Sequence, residues 1–334
     1  MELAGKRVLL IGGAGLIGSH TVDALLREDV REVVIYDNFT RGSRENLSHV
    51  DDPRLTVFPL GGDILHRDVL RKAMEGIDGV FHFAALWLLH CRDFPRSAFD
   101  VNVGGTFNVL EACVESGVQR LVYSSSASVY GDAETEPMRE DHPYRNETFY
   151  GATKIAGEHM CRALYHRYKG TPQAFDYVGL RYMNVFGPRQ DYQGTYVSVI
   201  MKILDRIDQD QAPVVYGDGS QSYDFVYVGD CGRANVCAMK SSATDGFYNV
   251  GTGRKTSIKQ IAELLLELTG SDLQLHYEPA GPTFVTNRVG CPQAASADLG
   301  FNAEVELRDG LERLIAWRAS HKDAVAQRRA AARG

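Results

Sequence analysis

Short apolar runs that alternate with amphipathic stretches are the feature that most limits what this chain can fold into. Six runs rich in Val, Ile, Leu and aromatic residues occur in the first half, at 7–11, 32–36, 55–58, 79–83, 120–124 and 177–181. Stretches with helical spacing lie among them, the clearest at 16–27, 98–116 and 149–168. Strands that alternate with helices form parallel βαβ units, and nearly continuous apolar strands are buried on both faces. The pattern predicts an α/β fold with a doubly wound parallel sheet.

The rhythm changes after Asn184, where glycines and Pro188 mark loops. Helical patterns return at 197–207, 258–269 and 307–320. We therefore predict a sheet domain over 1–183 and a smaller mixed α/β substrate lobe over 184–320, with the chain crossing between the lobes around 225–250. The tail, 321–334, is predicted to be disordered.

Composition argues against several classes of function. A net charge of −7 disfavours nonspecific binding to nucleic acid or to anionic membranes. No apolar run reaches the roughly 18–20 residues of a membrane span, and no signal peptide is visible. The six cysteines lack CxxC pairing, so we interpret them as reduced thiols in a cytoplasmic protein. No metal site is expected.

A glycine-rich turn, GGAGLIG at 12–18, joins the first strand to the first helix. Gly12, Gly15 and Gly18 permit a tight turn and close approach to a pyrophosphate, and the helix N-terminus supplies N–H donors. The second strand ends in Asp37, nineteen residues past Gly18. A carboxylate there binds the adenosine ribose hydroxyls and repels a 2′-phosphate, so the pattern favours NAD. Arg41, close to Asp37, leaves NADP open.

Tyr150 and Lys154 stand four residues apart in YGATK, on one face of a predicted helix. Tyrosine is a poor base at neutral pH, but a neighbouring ammonium and an oxidised nicotinamide favour its phenolate. The strand at 120–124 runs into the turn SSSASVYG, whose hydroxyls can bond a reacting oxygen. Ligands bind at strand carboxyl ends in open α/β sheets, so these groups predict proton and hydride transfer at a carbinol carbon.

These residues belong to a longer set of motifs. The set runs from about residue 7 to 253 and includes GGAGLIGSH, YDN, GDI, HFAA, NVGGTFNVLEAC, SSSASVYG, YGATK, LRYMNVFGPRQ, YGDGSQSYDFVYVGD and YNVGTG. By these motifs the chain resembles the extended short-chain dehydrogenase/reductase family, in its nucleotide-sugar epimerase/dehydratase branch. The resemblance implies a Rossmann domain with NAD, a nucleotide-sugar substrate, and a homodimer formed through the helices at 98–116 and 149–169.

The resemblance also implies roles for residues. Tyr150 would be the catalytic base, Lys154 would order it and the nicotinamide ribose, and Ser126 would assist it. The implied cofactor-binding residues are Gly12, Gly15, Leu16, Ile17, Gly18, Asp37, Asn38, Asp63, Ile64, Phe83, Ala84, Ala85, Asn102, Ser124, Tyr150, Lys154 and Tyr182. The implied substrate-binding residues are Ser126, Asn184, Trp87, Arg189, Tyr223 and Arg288.

The family's members share transient oxidation to a 4-keto sugar and differ in the fate of that intermediate. Dehydratases carry Asp and Glu directly after the catalytic Ser or Thr, and sugar-acid decarboxylases carry Glu at the second position. This chain has Ala127 and Ser128 there. A 4-epimerase needs no further acid or base, so the resemblance favours 4-epimerisation. A net sugar dehydrogenase or reductase, a decarboxylase or dehydratase, and a silent NAD sensor are the alternatives.

The substrate end departs from the family's pattern. Tyr223 replaces the arginine of the GDGxxxRDF segment, which clamps the substrate pyrophosphate in relatives. Arg288, Arg189 or another basic group would take over this anchor, or the substrate is unusual, since a phenol does not replace a bidentate arginine. Trp87 lies where 4-epimerases of the galactose type tend to have a lysine, and with His90 it would shape the sugar pocket.

Overall fold

The computed structural model describes residues 1–190, 198–280 and 285–321. Its strands are β1 (Arg7–Ile11), β2 (Glu32–Tyr36), β3 (Leu55–Val57), β4 (Gly79–His82), β5 (Arg120–Ser126), β6 (Asp176–Tyr182), β7 (Asn184–Phe186), β8 (Val214–Tyr216), β9 (Ser222–Tyr223), β10 (Phe225–Tyr227), β11 (Gly246–Val250), β12 (Thr256–Ser257), β13 (His276–Glu278) and β14 (Asn287–Arg288). Its α-helices are α1 (Leu16–Leu25), α2 (Arg67–Ala73), α3 (Leu88–Asp93), α4 (Pro95–Ala98), α5 (Thr106–Glu115), α6 (Phe149–Tyr168), α7 (Val199–Asp208), α8 (Val228–Lys240), α9 (Ile258–Thr269), α10 (Gln293–Leu299) and α11 (Leu307–Ser320).

The large sheet contains seven strands in the order β11-β6-β5-β4-β1-β2-β3. Every neighbouring pair in it is parallel. The order steps away from β1 in both directions, so β1 and β4 flank the point at which the winding reverses. In such sheets a crevice opens at the carboxyl ends of the strands beside this point.

Helices cover both faces of this sheet. Alternate residues of β1 belong to different apolar clusters, because successive side chains of a strand point to opposite faces. Val8 and Leu10 share a cluster with residues of α1 and α8, whereas Leu9 and Ile11 share one with residues of α2, α5 and α6. All four side chains are fully buried. A ligand therefore reaches the sheet only at its edges or strand ends.

The smaller lobe is built from short strands and three helices around its own core. Its strands form the pair β10-β7, the trio β12-β9-β14 and the pair β13-β8. Only β12 and β9 run antiparallel among these pairs of the described chain, so the lobe is mixed. Leu204 of α7, Leu265 of α9 and Leu311 of α11 share its core with Phe186.

The doubly wound sheet with a smaller mixed lobe confirms the predicted fold class. The chain returns to the sheet late, because β11 pairs with β6 and α8 packs on α1. We did not predict β11, whose apolar run is interrupted by Asn249, a buried side chain that hydrogen-bonds Tyr130 and Met138. The helix predicted at 98–116 is divided by a π-helical turn, Phe99–Gly105, that leads into α5.

Two further predictions concern membranes and the tail. Among the described helices, none combines the length and the apolar character that crossing a bilayer requires. Apart from His321, the tail predicted at 321–334 lies outside the described residues.

Candidate functional site

The glycine-rich turn lies at the carboxyl end of β1 and needs its glycines. Gly12 has a φ of 82°, and a Cβ there would come within 2.8 Å of the Ala84 backbone nitrogen. A Cβ at Gly18 would overlap the carbonyl oxygen of Gly12. The turn therefore packs directly against the segment after β4, and a side chain at either glycine would disrupt it.

The helix α1 begins at this turn without a side-chain cap at Gly15. The amides of a helix's first turn have no carbonyl partner within the helix. Those of Leu16 and Ile17 therefore present N–H groups and the positive end of the helix dipole to the crevice. This arrangement fits the pyrophosphate of a dinucleotide.

Asp37 lies at the carboxyl end of β2, on the other side of β1 from Ala84. Its Oδ2 accepts a hydrogen bond from the Ala14 amide at 2.9 Å, and its Oδ1 accepts one from the Phe39 amide at 2.8 Å. Burial raises the pKa of this carboxyl, and the two amides oppose that rise. A Cβ at Gly62 would overlap the backbone of Asp37. The carboxylate is thus held in place at the end of β2, as its predicted role at the adenosine ribose requires.

The predicted adenine-side residues lie next to Asp37. Asn38 accepts a hydrogen bond from the Thr40 amide at 3.1 Å. The Tyr36 hydroxyl donates to the Asp63 carbonyl at 2.8 Å, and Ile64 beyond it is buried. These contacts tie the loop after β3 to the end of β2.

The wall opposite Asp37 comes after β4 and contains the predicted Phe83, Ala84 and Ala85. Asn102, in the π-helical turn, accepts from the Leu86 amide at 2.7 Å and donates to the Leu86 carbonyl at 2.8 Å. Its Nδ2 also approaches the Thr153 hydroxyl of α6 at 3.1 Å. Asn102 therefore joins this wall to α6.

Ser126, Tyr150 and Lys154 are brought together where β5 ends beside α6. Thr148 caps α6, accepting from the Gly151 amide at 3.0 Å, which starts the helix one residue before Tyr150. Ser126 hydrogen-bonds the Tyr150 phenol. The Lys154 Nζ donates to the Ser124 carbonyl at 2.7 Å and lies 5.7 Å from the centroid of the Tyr150 ring.

The electrostatics of this group match a base that works with a cationic cofactor. Burial raises the pKa of Tyr150 to about 12, opposed by the Ser126 hydrogen bond and by the charges of Arg41 and Arg288. Burial lowers the pKa of Lys154 to about 8. At neutral pH the phenol is protonated, so forming its phenolate requires a further positive charge nearby. An oxidised nicotinamide supplies such a charge, and the residues present therefore fit NAD.

A buried ion pair lies one helical turn beyond Lys154. The Glu158 carboxylate pairs with the Arg181 guanidinium of β6 at 2.8 Å, and their side chains are 1% and 3% exposed. Glu158 also accepts from the Ser125 hydroxyl at 2.6 Å and from the Tyr144 hydroxyl at 2.7 Å. Ser125 lies between the two serines that contact Lys154 and Tyr150. The pair therefore ties α6, which carries Tyr150 and Lys154, to β5 and β6.

The end of β6 leads into the lobe. The Tyr182 hydroxyl donates to Asn235 of α8 at 2.7 Å and also hydrogen-bonds Ser124. The Asn184 amide donates to the Asp224 carbonyl at 2.9 Å, beside the pairing of β7 with β10. Asp224 itself is buried and accepts from the Thr252 amide. These contacts place Asn184 at the junction of sheet and lobe.

Tyr223 and Arg288 are cross-strand neighbours in the lobe. They pair in register between β9 and β14. The Tyr223 hydroxyl donates to the Val285 carbonyl at 2.7 Å, and Arg288 Nε reaches the Gly131 carbonyl at 3.4 Å. Burial lowers the pKa of Arg288 to about 10, and Tyr150 is among the groups whose charge acts on it. The charges of Arg288 and Tyr150 therefore act on each other.

A cavity of about 310 Å³ opens beside this arginine. It is lined by Leu88, Ser128, Gly131, Asp132, Ala133, Glu134, Arg145, Asn146, Glu147, Thr148, Val285 and Arg288. Two of these, Ser128 and Thr148, lie within two residues of Ser126 and Tyr150, so the cavity adjoins the reacting groups.

Three other residues that were predicted to contact the substrate, Arg189, Trp87 and His90, are not among those that line this cavity. The Arg189 guanidinium pairs with Asp23 of α1 at 2.7 Å and approaches His49 at 3.0 Å. Trp87 precedes α3, and the guanidinium carbon of Arg41 lies 4.6 Å from its ring centroid. His90 packs its ring against Phe94 at 5.1 Å. Of the two basic candidates for the substrate, Arg288 is the one that lines the cavity and whose charge lowers the pKa of Tyr150.

Sequence reasoning missed the Glu158–Arg181 pair and the contact of Arg41 with Trp87. The ion pair could have been suspected from the sequence, because Glu158 comes one helical turn after Lys154 on the same face. The contact of Arg41 with Trp87 could not, since the two residues are distant in sequence and meet only in the fold. No group of three or more His, Cys, Asp or Glu gathers to hold a metal anywhere in the described ranges. All six cysteines are unpaired.

Comparison with known proteins identifies the family to which the chain belongs. The sequence matches the profile of the NAD dependent epimerase/dehydratase family over residues 8–251. UDP-glucose 4-epimerase of Bacillus subtilis is 30% identical over 336 residues, covering 93% of this chain and 96% of the relative. The chain therefore belongs to the NAD-dependent epimerase/dehydratase family, as its motifs predicted, and NAD as its cofactor is confirmed.

Solved structures show the same fold with more than one chemistry. A UDP-N-acetylglucosamine 4-epimerase from Methanobrevibacter ruminantium M1, in complex with UDP-N-acetylmuramic acid, superposes with a TM-score of 0.88 at 31% identity, covering 95% of this chain and 99% of that one. A dTDP-glucose 4,6-dehydratase from Streptomyces venezuelae with NAD bound gives 0.86 at 28%, covering 95% and 98%. Both groups act on nucleotide sugars, so the choice between reactions depends on this chain's own residues.

Proposed function

We propose that this protein is a nucleotide-sugar 4-epimerase. The observation that carries the proposal is the pair of residues after Ser126. Ala127 is buried at 1% exposure, and the amide of Ser128 donates to the Ser126 hydroxyl oxygen at 3.1 Å. Neither side chain can act as a carboxylic acid, so dehydration or decarboxylation would lack its usual second proton-transfer group at these positions.

In the proposed mechanism, Tyr150 removes the proton of the sugar's C4 hydroxyl and later returns it. Ser126 donates a hydrogen bond to the reacting oxygen, and the Lys154 ammonium stabilises the phenolate. Bound NAD would supply the acceptor, and later the donor, for the hydride at C4. The 4-keto sugar must turn over between the two transfers, so it needs an anchor outside the reacting ring.

Arg288 is the proposed anchor for the substrate's diphosphate. Its place in the cavity lining and the effect of its charge on Tyr150 support this assignment, and its guanidinium can bind phosphate through two hydrogen bonds. Tyr223, which replaces the usual arginine, would shape the site next to it. Asn184 and Trp87 stay proposed substrate contacts, while the ion pair with Asp23 makes Arg189 a weaker candidate.

The experiment that tests the function incubates purified protein in D₂O with UDP-, GDP-, CDP- and ADP-sugars, with the products identified by NMR. We expect inversion at C4 of one sugar with no deuterium at C4, because the hydride returns from within the site, and no net change in NAD. Deuterium at C5 with a 4-keto-6-deoxy product would overturn the proposal in favour of dehydration. Release of CO₂ would indicate decarboxylation, and a stoichiometric change in NADH would indicate net oxidation or reduction.

We also propose that the protein is a cytoplasmic homodimer. Four exposed phenylalanines, Phe94, Phe99, Phe107 and Phe149, lie on or beside α4, α5 and α6, the region through which relatives are expected to pair. Unpaired cysteines support a reducing compartment. Light scattering should give the mass of two chains for the wild type and of one chain for Phe107→Glu. The control is Tyr277→Glu, at an exposed aromatic residue of the lobe, which should keep the mass of two chains. A one-chain mass for the wild type would contradict the dimer.

A further inference from the structure

A turn after β5 and a segment of the lobe run side by side along the cavity. The turn spans residues 131–134 and the segment spans residues 285–288, and both contribute to the cavity lining. The Gly131 carbonyl accepts a hydrogen bond from Arg288 Nε at 3.4 Å. The two segments therefore connect the sheet side of the cavity to its lobe side.

Asp132 of this turn binds the hydrogen-bond donors at the start of the lobe segment. Its Oδ1 accepts from the Thr286 amide at 2.6 Å, from the Thr286 hydroxyl at 3.1 Å and from the Asn287 amide at 2.9 Å. The Ala133 amide donates to the Asn287 carbonyl at 3.1 Å. Hydrogen bonds to a carboxylate are roughly twice as strong as those between neutral groups. Asp132 therefore fixes the two residues that immediately precede Arg288.

Arg288 needs this support because its own strand is short. The strand β14 has two residues and pairs with the two residues of β9. So small a pairing is not stable without further contacts. Among the described residues, the Gly131 carbonyl is the only hydrogen-bond partner of the Arg288 guanidinium. The placement of Nη1 and Nη2 therefore depends on where the backbone is held.

We propose that Asp132 is a positioning residue for substrate binding, and that its carboxylate holds β14 where the Arg288 guanidinium can bind the substrate's diphosphate. This inference rests on the proposed role of Arg288 as the phosphate anchor. Burial lowers the pKa of Arg288, and the charges of Tyr223 and Asp132 oppose that change. Asp132 therefore acts on Arg288 through its charge as well as through its hydrogen bonds, and substitutions can separate the two effects.

The test measures nucleotide binding and needs no turnover. Protein loaded with NAD is titrated by calorimetry with UDP, GDP, CDP and ADP, and the tightest of the four becomes the probe. We expect Asp132→Ala to weaken binding of the probe about 5- to 30-fold, because β14 loses its charge-assisted hydrogen bonds. Asp132→Asn keeps an oxygen that accepts from the same amides and should stay within about threefold of wild type. Equal changes in the two variants would assign the effect to charge and overturn the positioning role.

A double-mutant cycle tests whether Asp132 acts through Arg288. In an Arg288→Met background, Asp132→Ala should cause no further loss of affinity, because the group that Asp132 positions is gone. The same loss in both backgrounds would overturn the proposal. Asp141→Ala is the matched control, since this carboxylate of the connection before α6 is 84% exposed and lies 3.7 Å from Arg139. It should leave affinity within about twofold of wild type.

Kinetics separate positioning from general damage to the fold. On the sugar that the substrate panel identifies, Asp132→Ala should raise KM and leave kcat within about twofold, because Tyr150 and Lys154 are supported by α6 and β5. Bound NAD should be unchanged. A fall in kcat with KM unchanged would overturn the positioning role.

The outcomes also separate this inference from the function on which it rests. If Arg288→Met weakens binding of the probe and Asp132→Ala does not, the positioning role alone is wrong. If neither variant weakens binding, or if none of the four nucleotides binds to the wild type, the phosphate anchor is wrong as well. The 4-epimerase reaction itself is decided by C4 inversion in the substrate panel, which the calorimetry does not measure.

Discussion

The two sides of the crevice hold their functional groups in different ways. On the sheet side, Lys154 bonds a strand carbonyl at 2.7 Å, and Glu158 and Arg181 are almost completely buried behind it. On the lobe side, Arg288 belongs to a two-residue strand and its Nε lies 3.4 Å from the Gly131 carbonyl, a long hydrogen bond. The difference teaches that the proposed catalytic residues lie on long, buried elements, whereas the proposed substrate anchor lies on a short segment of the kind that can vary between relatives.

Loss of the tyrosine hydroxyl should give the largest effect. Tyr150→Phe removes the proposed base and should lower kcat about 10²–10⁴-fold, the usual contribution of a positioned base. NAD should still bind, because the glycine-rich turn and Asp37 are unchanged. Turnover is measured on the sugar found by the substrate panel and bound NAD is counted after denaturation. Activity close to that of wild type would show that another group removes the proton.

The buried ion pair should dominate stability on the sheet side. Glu158→Gln keeps the shape of the side chain but leaves Arg181 charged and buried, which typically costs about 3–5 kcal/mol. The matched control is Glu263→Gln, which breaks an exposed pair with Lys259 on α9 and should cost less than about 1 kcal/mol. Urea unfolding of both variants measures the difference. Equal midpoints would mean that the pair does not hold the scaffold together.

On the lobe side, one arginine should matter for substrate and the other should not. Arg288→Met removes the proposed phosphate anchor and should lower kcat/KM about 10- to 100-fold, mainly through KM. Arg189→Met should leave KM within about twofold, because that guanidinium is paired with Asp23. Steady-state kinetics on both variants test the contrast. If Arg189→Met raised KM more than Arg288→Met, the phosphate anchor would be Arg189 instead of Arg288.

How much of this site the sequence predicts depends on how local its contacts are. The pair Tyr150 and Lys154 can be predicted from the sequence, because helical spacing alone places both side chains on one face. Asp37 and the glycine-rich turn can also be predicted, because the strands, the turn and the helix that position them follow one another in the sequence. The parallel sheet is also predictable from the alternation of apolar runs, since each run is nearly continuous and so must be buried on both faces.

The features that the sequence does not predict depend on contacts between distant segments. Arg288 meets Tyr223 only because two short strands pair, and neither strand has a pattern long enough to identify. The position of Arg41 over Trp87 likewise results from the order of β2, β1 and β4. The division of the helix at 98–116 is hidden as well, because one wide turn hardly changes the spacing of apolar residues.

The smallest expected effect is a shift in pH dependence that links the ion pair to catalysis. Burial lowers the pKa of Lys154 to about 8, so kcat/KM should fall as pH rises through about 8 or somewhat lower with NAD bound, because the amine loses its charge. The negative charge of Glu158 raises this pKa, so Glu158→Gln should move the alkaline limb to lower pH by less than about one unit. Tyr144→Phe removes a hydrogen bond to the same carboxylate without changing its charge, and should leave the limb in place. If the alkaline limb moved equally in both variants, the shift would result from altered packing around α6. In that case the negative charge of Glu158 would not be what raises the pKa of Lys154.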